Sequence, residues 1–154
     1  MAALYPYLKL LHIFATIMWV GGGAVIAVLT ARMARRAPAA TTAAYLGQVA
    51  FVGPIFFAPS ALLTLVTGVM MVMGAGLSFG TPWVSAGFGG VLLSFLLGGT
   101  LLHAAAKRLT ALADEGADPA GEPMTAARRR FVTVSTVNLL VLVGAVAAMV
   151  LKPA

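Results

Sequence analysis

The chain has 154 residues, of which 61% are hydrophobic and 9% are charged, and its mean hydropathy is +1.01. A soluble domain carries roughly 25% charged residues, so this composition excludes a water-soluble globule and indicates a single domain embedded in lipid. The net charge of +6 comes from basic residues beside apolar runs, a pattern typical of membrane topology rather than of a nucleic-acid surface.

Four apolar runs are long enough to cross a bilayer as α-helices. A spanning helix needs about 20 apolar residues, and these runs lack the period-2 alternation of membrane barrel strands. The sequence therefore predicts an all-α bundle of four transmembrane helices. The predicted helices lie at about residues 4–30, 52–73, 83–106 and 131–151 of one transmembrane domain, residues 1–154.

The first predicted helix contains Gly21, Gly22 and Gly23 near its middle. Its apolar run is longer than that of a signal peptide and has no basic segment before it, so we expect a retained helix. Small residues in membrane helices mark close contacts with neighbouring helices. We therefore expect the glycine run to pack against another helix.

Residues 41–51 precede the second predicted helix and are expected to form a turn at the membrane interface. Gly53 and Pro54 should break the helix there, because proline lacks a backbone N–H donor, and Pro59 should bend it. The following connection, residues 74–82, is uncharged and rich in glycine. That composition predicts a tight hairpin between the second and third helices.

Residues 107–130, between the third and fourth predicted helices, contain every acidic residue of the chain and a cluster of basic ones. The prolines and glycines in this stretch predict a mobile loop. A second basic cluster, Arg32, Arg35 and Arg36, follows the first helix. The positive-inside rule places both clusters in the cytoplasm. It predicts that both termini face outward from a bacterial-type inner membrane.

Polar and ionisable side chains inside a membrane bundle commonly mark functional sites. Seven residues are candidates for such a site: His12, Lys9, Trp19, Met71, Met149, His103 and Lys152. At a rise of ~1.5 Å per residue, His12, Met71 and Met149 fall in the same outer layer of the membrane. His103 is expected near the cytoplasmic end of the third helix, so one metal ion should not bind both His103 and His12 of the same chain.

The absence of cysteine excludes disulfides and thiolate metal sites. Imidazole and thioether ligands suit a b-type haem on His12, or a copper(I) ion held by His12, Met71 and Met149. Lys9 lies one turn outward from His12, where it could meet a haem propionate. A purely structural interpretation is also open, in which His12 donates to a backbone carbonyl and the methionines fill space.

The segment Leu8-Lys9-Leu10-Leu11-His12-Ile13, followed by Trp19-Val20-Gly21-Gly22, resembles the opening of a group of small bacterial membrane proteins. Thr67-Gly68 after Pro59, and the closing Met149-Val150-Leu151-Lys152-Pro153, resemble two further motifs of that group. The group includes the family named domain of unknown function 2269. Its relatives are the CopD copper-resistance membrane domain and the small membrane-type protoporphyrinogen oxidase. The resemblance covers nearly the whole chain and implies a four-helix membrane fold.

In the oxidase, a histidine of the first helix is associated with haem b, and the resemblance carries that role only to His12. Residues 24–28 replace the aromatic and Arg-rich run that follows the first helix of the oxidase, so porphyrin oxidation is not implied. The CopD domain has more membrane spans and more histidine or methionine outside the membrane than this chain. Passage of copper is therefore not implied either.

Three hypotheses for the function follow from the sequence. The protein could bind haem b for electron transfer or redox chemistry, handle copper, or serve as a non-catalytic subunit or scaffold of a larger membrane complex. The sequence contains no Ser/His/Asp triad, intramembrane carboxylate pair or phosphate-binding loop, which excludes hydrolase and kinase activities of those types and leaves other enzymatic activity open. The expected partners are the lipid bilayer and, as possibilities, a second copy or other membrane subunits, but not nucleic acid.

Overall fold

A computed structural model of the chain describes residues 2–152, which form four long helices. After a short 3-10 turn, Ala2–Leu4, the first helix runs through Tyr5–Thr16, Ile17–Gly21 and Gly22–Arg36. The second runs through Ala39–Val52, Gly53–Phe57 and Ala58–Gly74, the third through Pro82–Leu96, Leu97–Leu102 and His103–Asp114, and the fourth is Glu122–Leu151. All four are long and apolar enough to cross a membrane. This confirms the predicted all-α fold with four membrane-spanning helices. Pro153, in the closing motif, lies outside the described residues.

The middle segment of each of the first three helices is a wider π-helical turn, at Ile17–Gly21, Gly53–Phe57 and Leu97–Leu102. The second of these turns contains Pro54, which cannot donate a backbone hydrogen bond. The chain accommodates proline in the wider turn, and the helix continues through it. The predicted interfacial turn at residues 41–51 is therefore wrong, because these residues belong to the helical segment Ala39–Val52.

The third and fourth helices extend well beyond the predicted spans. The third ends at Asp114 and the fourth begins at Glu122, so the connection predicted at residues 107–130 is reduced to residues 115–121. Leu109 and Leu112 of the third helix and Met124 of the fourth are buried in one hydrophobic cluster. These extensions are polar overall but bury one apolar face, which keeps them helical.

The connections at residues 75–81 and 115–121 have the same backbone conformation. The second residue of each is a glycine at positive φ, Gly76 at 64° and Gly116 at 70°, a conformation that glycine adopts without strain. In both, the N–H of this glycine and that of the next residue bond to carbonyls three and five residues earlier, as in a Schellman helix cap. Because successive helices are antiparallel, these matching connections lie at opposite ends of the bundle.

The helices exchange packing partners along their length. At one end, Tyr5–Thr16 packs against Ala58–Gly74, and Pro82–Leu96 packs against the fourth helix. At the other end, Ala39–Val52 packs against His103–Asp114, while Gly22–Arg36 packs against the fourth helix. We call the first of these the N-terminal end and the second the opposite end. All four helices therefore contribute residues to the interior at the N-terminal end.

Close packing at the glycine run of the first helix involves only Gly22. A Cβ atom on Gly22 would lie 2.9 Å from Cε1 of Phe57, whereas Gly21 and Gly23 have no neighbouring atom within 4 Å of such a position. The expectation that the whole run is packed is wrong for Gly21 and Gly23. Successive residues on a helix point in different directions, so only one of the three faces the second helix.

Candidate functional site

The imidazole of His12 is held against the second helix by two hydrogen bonds. Its Nδ1 lies 3.0 Å from the carbonyl oxygen of Thr64 and 3.0 Å from the hydroxyl of Thr67. The carbonyl can only accept, and the Thr67 hydroxyl donates its own proton to the carbonyl of Leu63 at 2.6 Å. Nδ1 must therefore carry the proton and donate it.

Protonation of Nδ1 leaves Nε2 with a free lone pair in the neutral ring. Nε2 has no hydrogen-bond partner among residues 2–152. Metal-binding histidines are typically fixed in this way, with the second ring nitrogen donating to a carbonyl or carboxylate. The bond to a backbone carbonyl that the structural interpretation predicted for His12 is therefore present, and it also prepares Nε2 to act as a ligand.

The second helix presents a surface suited to this imidazole. The hydroxyl of Thr64 donates to the carbonyl of Ser60 at 2.9 Å, so the buried threonines of this helix satisfy their own donors within it. A Cβ atom on Gly68 would lie 3.3 Å from Cε1 of His12. The missing side chain at Gly68 thus allows the ring to lie directly against the helix.

A cavity of about 50 Å³ lies beside His12 at the N-terminal end, with all four helices contributing to its lining. Met71 and Met149 line this cavity together with His12, and Tyr5 and Trp83 also line it. The sequence placed His12 and the two methionines in one layer, and the structure brings all three to one cavity. A bulk water molecule occupies about 30 Å³, so this space fits an ion or one or two waters.

The thioether of Met149 reaches the cavity region because the third helix has no side chain at Gly87. A Cβ atom on Gly87 would overlap the terminal methyl group of Met149 and lie 3.3 Å from its sulfur. Gly87 is not among the site residues that the sequence predicts. The sequence feature that could have identified it is a glycine inside a helix. Glycine there costs roughly 1 kcal/mol relative to alanine, so it usually has a packing reason.

The other predicted site residues do not line this cavity in the described part of the chain. Lys9 and His103 are exposed. Trp19 is buried in a separate cluster with Ala61, Val91 and Leu142, and its ring lies 5.6 Å from that of Phe95. The ammonium group of Lys152 lies 5.2 Å from the centre of the Trp83 ring, which lines the cavity. Lys152 is therefore next to the site, in a cation–π contact.

The donor set of this site is one imidazole and two thioethers. Within residues 2–152 there is no group of three or more His, Cys, Asp or Glu side chains that could hold a metal ion. Carboxylate-rich sites for hard cations are therefore not present in that range. Thioethers are soft ligands that select copper(I) among the common biological metals.

No protein of curated function and no solved structure matches the chain significantly. The predicted relationships to the CopD domain and to protoporphyrinogen oxidase stay predictions. Residues 6–153 match a family described as predicted integral membrane protein (DUF2269). This range includes all the cavity-lining positions used above except Tyr5, and all four membrane-spanning helices almost in full. The chain therefore belongs to the DUF2269 family of integral membrane proteins.

Proposed function

We propose that this integral membrane protein binds copper(I) through Nε2 of His12 and the thioethers of Met71 and Met149. The observation that carries the proposal is the orientation of His12, whose Nδ1–H is bonded to the Thr64 carbonyl and the Thr67 hydroxyl. This leaves Nε2 without a hydrogen-bond partner among residues 2–152, and His12 lines a cavity together with two methionines. Imidazole and thioether together are suitable ligands for copper(I). A monovalent ion also carries the smallest charge that such a weakly polar site has to stabilise.

The size of the cavity favours an ion over a porphyrin. Its volume is about 50 Å³, whereas cavities for drug-sized ligands and cofactors measure roughly 300–1,000 Å³. A haem b on His12 would need space outside the described bundle, for example between two copies of the chain. Haem binding, electron transfer and a scaffold role in a larger complex stay predictions, and they would take the place of copper binding if the copper experiment failed.

The test is a titration of the purified protein with copper(I) in neutral detergent, without oxygen, against a chromogenic chelator. We expect one copper(I) per chain. His12→Ala should weaken binding more than about 100-fold, because loss of a ligand exceeds the 10- to 100-fold cost of losing a second-shell partner. The double variant Met71→Leu/Met149→Leu should show a loss of similar size.

Met70 and Met73 provide a matched control, because both are exposed and neither lines the cavity. Met70→Leu/Met73→Leu removes the same number of thioethers and should bind copper(I) like the unmodified chain. Equal affinities of the two double variants would contradict the proposal. A Soret band in protein supplied with haem, lost in His12→Ala, would replace copper with haem.

A milder change should act through the orientation of His12. Thr67→Val removes a hydroxyl that lies 3.0 Å from Nδ1 while preserving the shape of the side chain. Second-shell losses of this kind typically cost 10- to 100-fold in metal affinity, and about 10-fold is expected here because the Thr64 carbonyl still accepts. The measurement is the same copper(I) titration.

Thr64→Val is the control for this change. The Thr64 hydroxyl donates to Ser60, whereas His12 bonds to the backbone carbonyl of Thr64, which valine retains. Thr64→Val should therefore keep the copper(I) affinity. If Thr67→Val and Thr64→Val behave alike, the orientation of His12 does not contribute to binding.

A further inference from the structure

A second cavity, of about 380 Å³, lies at the opposite end of the bundle. It is formed by the last turn of the first helix and by residues 128–133 of the fourth, and we call it the basic cleft. Its lining residues are Arg35, Arg128, Arg129, Val132 and Thr133. We propose that the basic cleft binds the headgroup of one anionic phospholipid.

The positive charge of the basic cleft favours the binding of an anion. Three of its lining residues are arginines, and no lining residue within residues 2–152 is acidic. Arg35 and Arg129 bring two positive charges to this cleft beside Arg128, and an anion bound between them would be attracted by both. Arginine is also suited to the task, since its planar guanidinium can bind phosphate oxygens in pairs.

The orientation of Arg35 supports binding of phosphate rather than diffuse attraction. Its Nε donates to the carbonyl of Ala31 at 3.0 Å. This bond holds the guanidinium against the end of the first helix and uses one of its five N–H donors. The remaining donors are available to a phosphate from a side chain whose conformational freedom is already restricted.

The shape and position of the basic cleft favour a lipid over a free phosphate ion. Val132 and Thr133 line it one turn further along the fourth helix from the arginines, so basic and less polar walls lie side by side. A phospholipid presents its phosphate and its glycerol ester region in the same order. The volume of about 380 Å³ also falls in the range of pockets for organic ligands. Basic pockets between membrane helices are suitable sites for anionic headgroups.

The experiment compares lipids added to the full chain in neutral detergent at about 0.15 M ionic strength. The probes are phosphatidylglycerol, phosphatidylcholine with the same acyl chains, and inorganic phosphate. Binding is followed by native mass spectrometry and by the shift in unfolding temperature. We expect one phosphatidylglycerol to bind tightly, with phosphatidylcholine and inorganic phosphate at least about 10-fold weaker.

The variant Arg35→Gln/Arg129→Gln should weaken phosphatidylglycerol binding roughly 30-fold, as expected when two arginines near an anionic lipid are lost. Its control is Arg32→Gln/Arg130→Gln, which removes the same charge from exposed residues outside the basic cleft. The control should lose clearly less affinity, because Arg32 and Arg130 do not line the cleft and interactions between exposed charges are weakened by salt at this ionic strength. Arg35→Lys/Arg129→Lys keeps the charge without paired donors and should show an intermediate loss.

Circular dichroism and the unfolding temperature without lipid establish that each variant is folded, and the lysine variant serves if the glutamine variant is not. Equal losses in the cleft and control variants would overturn the proposal, since they would show general attraction by surface charge. Equal binding of phosphatidylglycerol and phosphatidylcholine would overturn it as well. Inorganic phosphate that binds as tightly as phosphatidylglycerol would identify a site for the free ion and overturn the assignment to lipid. Copper(I) is not involved in any of these measurements, so their outcome is independent of the His12 site.

Discussion

A cysteine introduced at Ser78 is expected to react with a membrane-impermeant maleimide in intact cells, whereas a cysteine at Asp118 reacts only after permeabilisation. Ser78 lies in the uncharged connection between the second and third helices, and Asp118 lies in the connection flanked by basic residues. The positive-inside rule places the second of these in the cytoplasm. The expected difference is all or none, because the reagent reaches only one side of the membrane.

The two positions form a closely matched pair. Both residues are exposed, and they occupy the same place in connections with the same backbone hydrogen bonds. Even their side chains act alike, since the Ser78 hydroxyl accepts from the N–H of Gly80 at 3.1 Å and the Asp118 carboxylate accepts from the N–H of Ala120 at 3.0 Å. The natural chain has no cysteine, so any label on this chain comes from the introduced residue.

Labelling of position 118 alone in sealed cells would reverse the predicted orientation and place the His12 cavity on the cytoplasmic side. Labelling of both positions in sealed cells would show that the chain inserts in both directions. Either result would leave the geometry of the proposed copper site unchanged, but it would change the compartment from which copper(I) would reach it.

Hydropathy predicts the number of membrane helices in this chain because each apolar run meets the length that the bilayer requires. It does not predict their ends. The segments around Leu109 and Met124 are too polar to count as membrane-spanning, yet each buries an apolar face against the other and against Leu46. Their helical structure depends on contacts between distant parts of the chain, which hydropathy does not report.

The candidate site could be predicted only in part, because its details also depend on contacts between distant parts of the chain. The rise per residue and the direction of each helix fix the depth of a side chain, and depth alone places His12, Met71 and Met149 in one layer. The rotation of each helix about its own axis decides which atoms meet within that layer. The acceptor role of Thr67 and the space provided by Gly87 depend on that rotation, so they emerge only from the packed structure.

Gly90→Leu is expected to destabilise the folded protein by about 3 kcal/mol, at the upper end of the usual cost of overpacking. A Cβ atom on Gly90 would lie 2.7 Å from the Cβ atom of Ala145 and 3.6 Å from the carbonyl oxygen of Val141. One is the Cβ atom of a short side chain and the other is a backbone atom, and neither can move away as the end of a long side chain can. The third and fourth helices would have to separate. The measurement is the unfolding temperature in detergent.

Gly89→Leu is the control, since no atom lies within 4 Å of a Cβ position there and the residue is exposed. The same leucine should be tolerated on that lipid-facing side. Equal unfolding temperatures for the two variants would show that the third and fourth helices are not closely packed at Gly90.

Separation of these helices should also be measurable at the proposed copper site. The hydroxyl of Ser94 donates to the side-chain oxygen of Asn138 at 2.7 Å, one turn from Gly90 on the same face, and this bond would lengthen as the helices move apart. Gly87 lies almost one turn from Gly90 in the other direction, where it accommodates the thioether of Met149. Membrane helices associate through close packing of small residues and interhelical hydrogen bonds, so a disturbance at Gly90 reaches both contacts. The folded Gly90→Leu variant should therefore bind copper(I) more weakly than the Gly89→Leu variant, because the movement of the fourth helix carries Met149 away from His12.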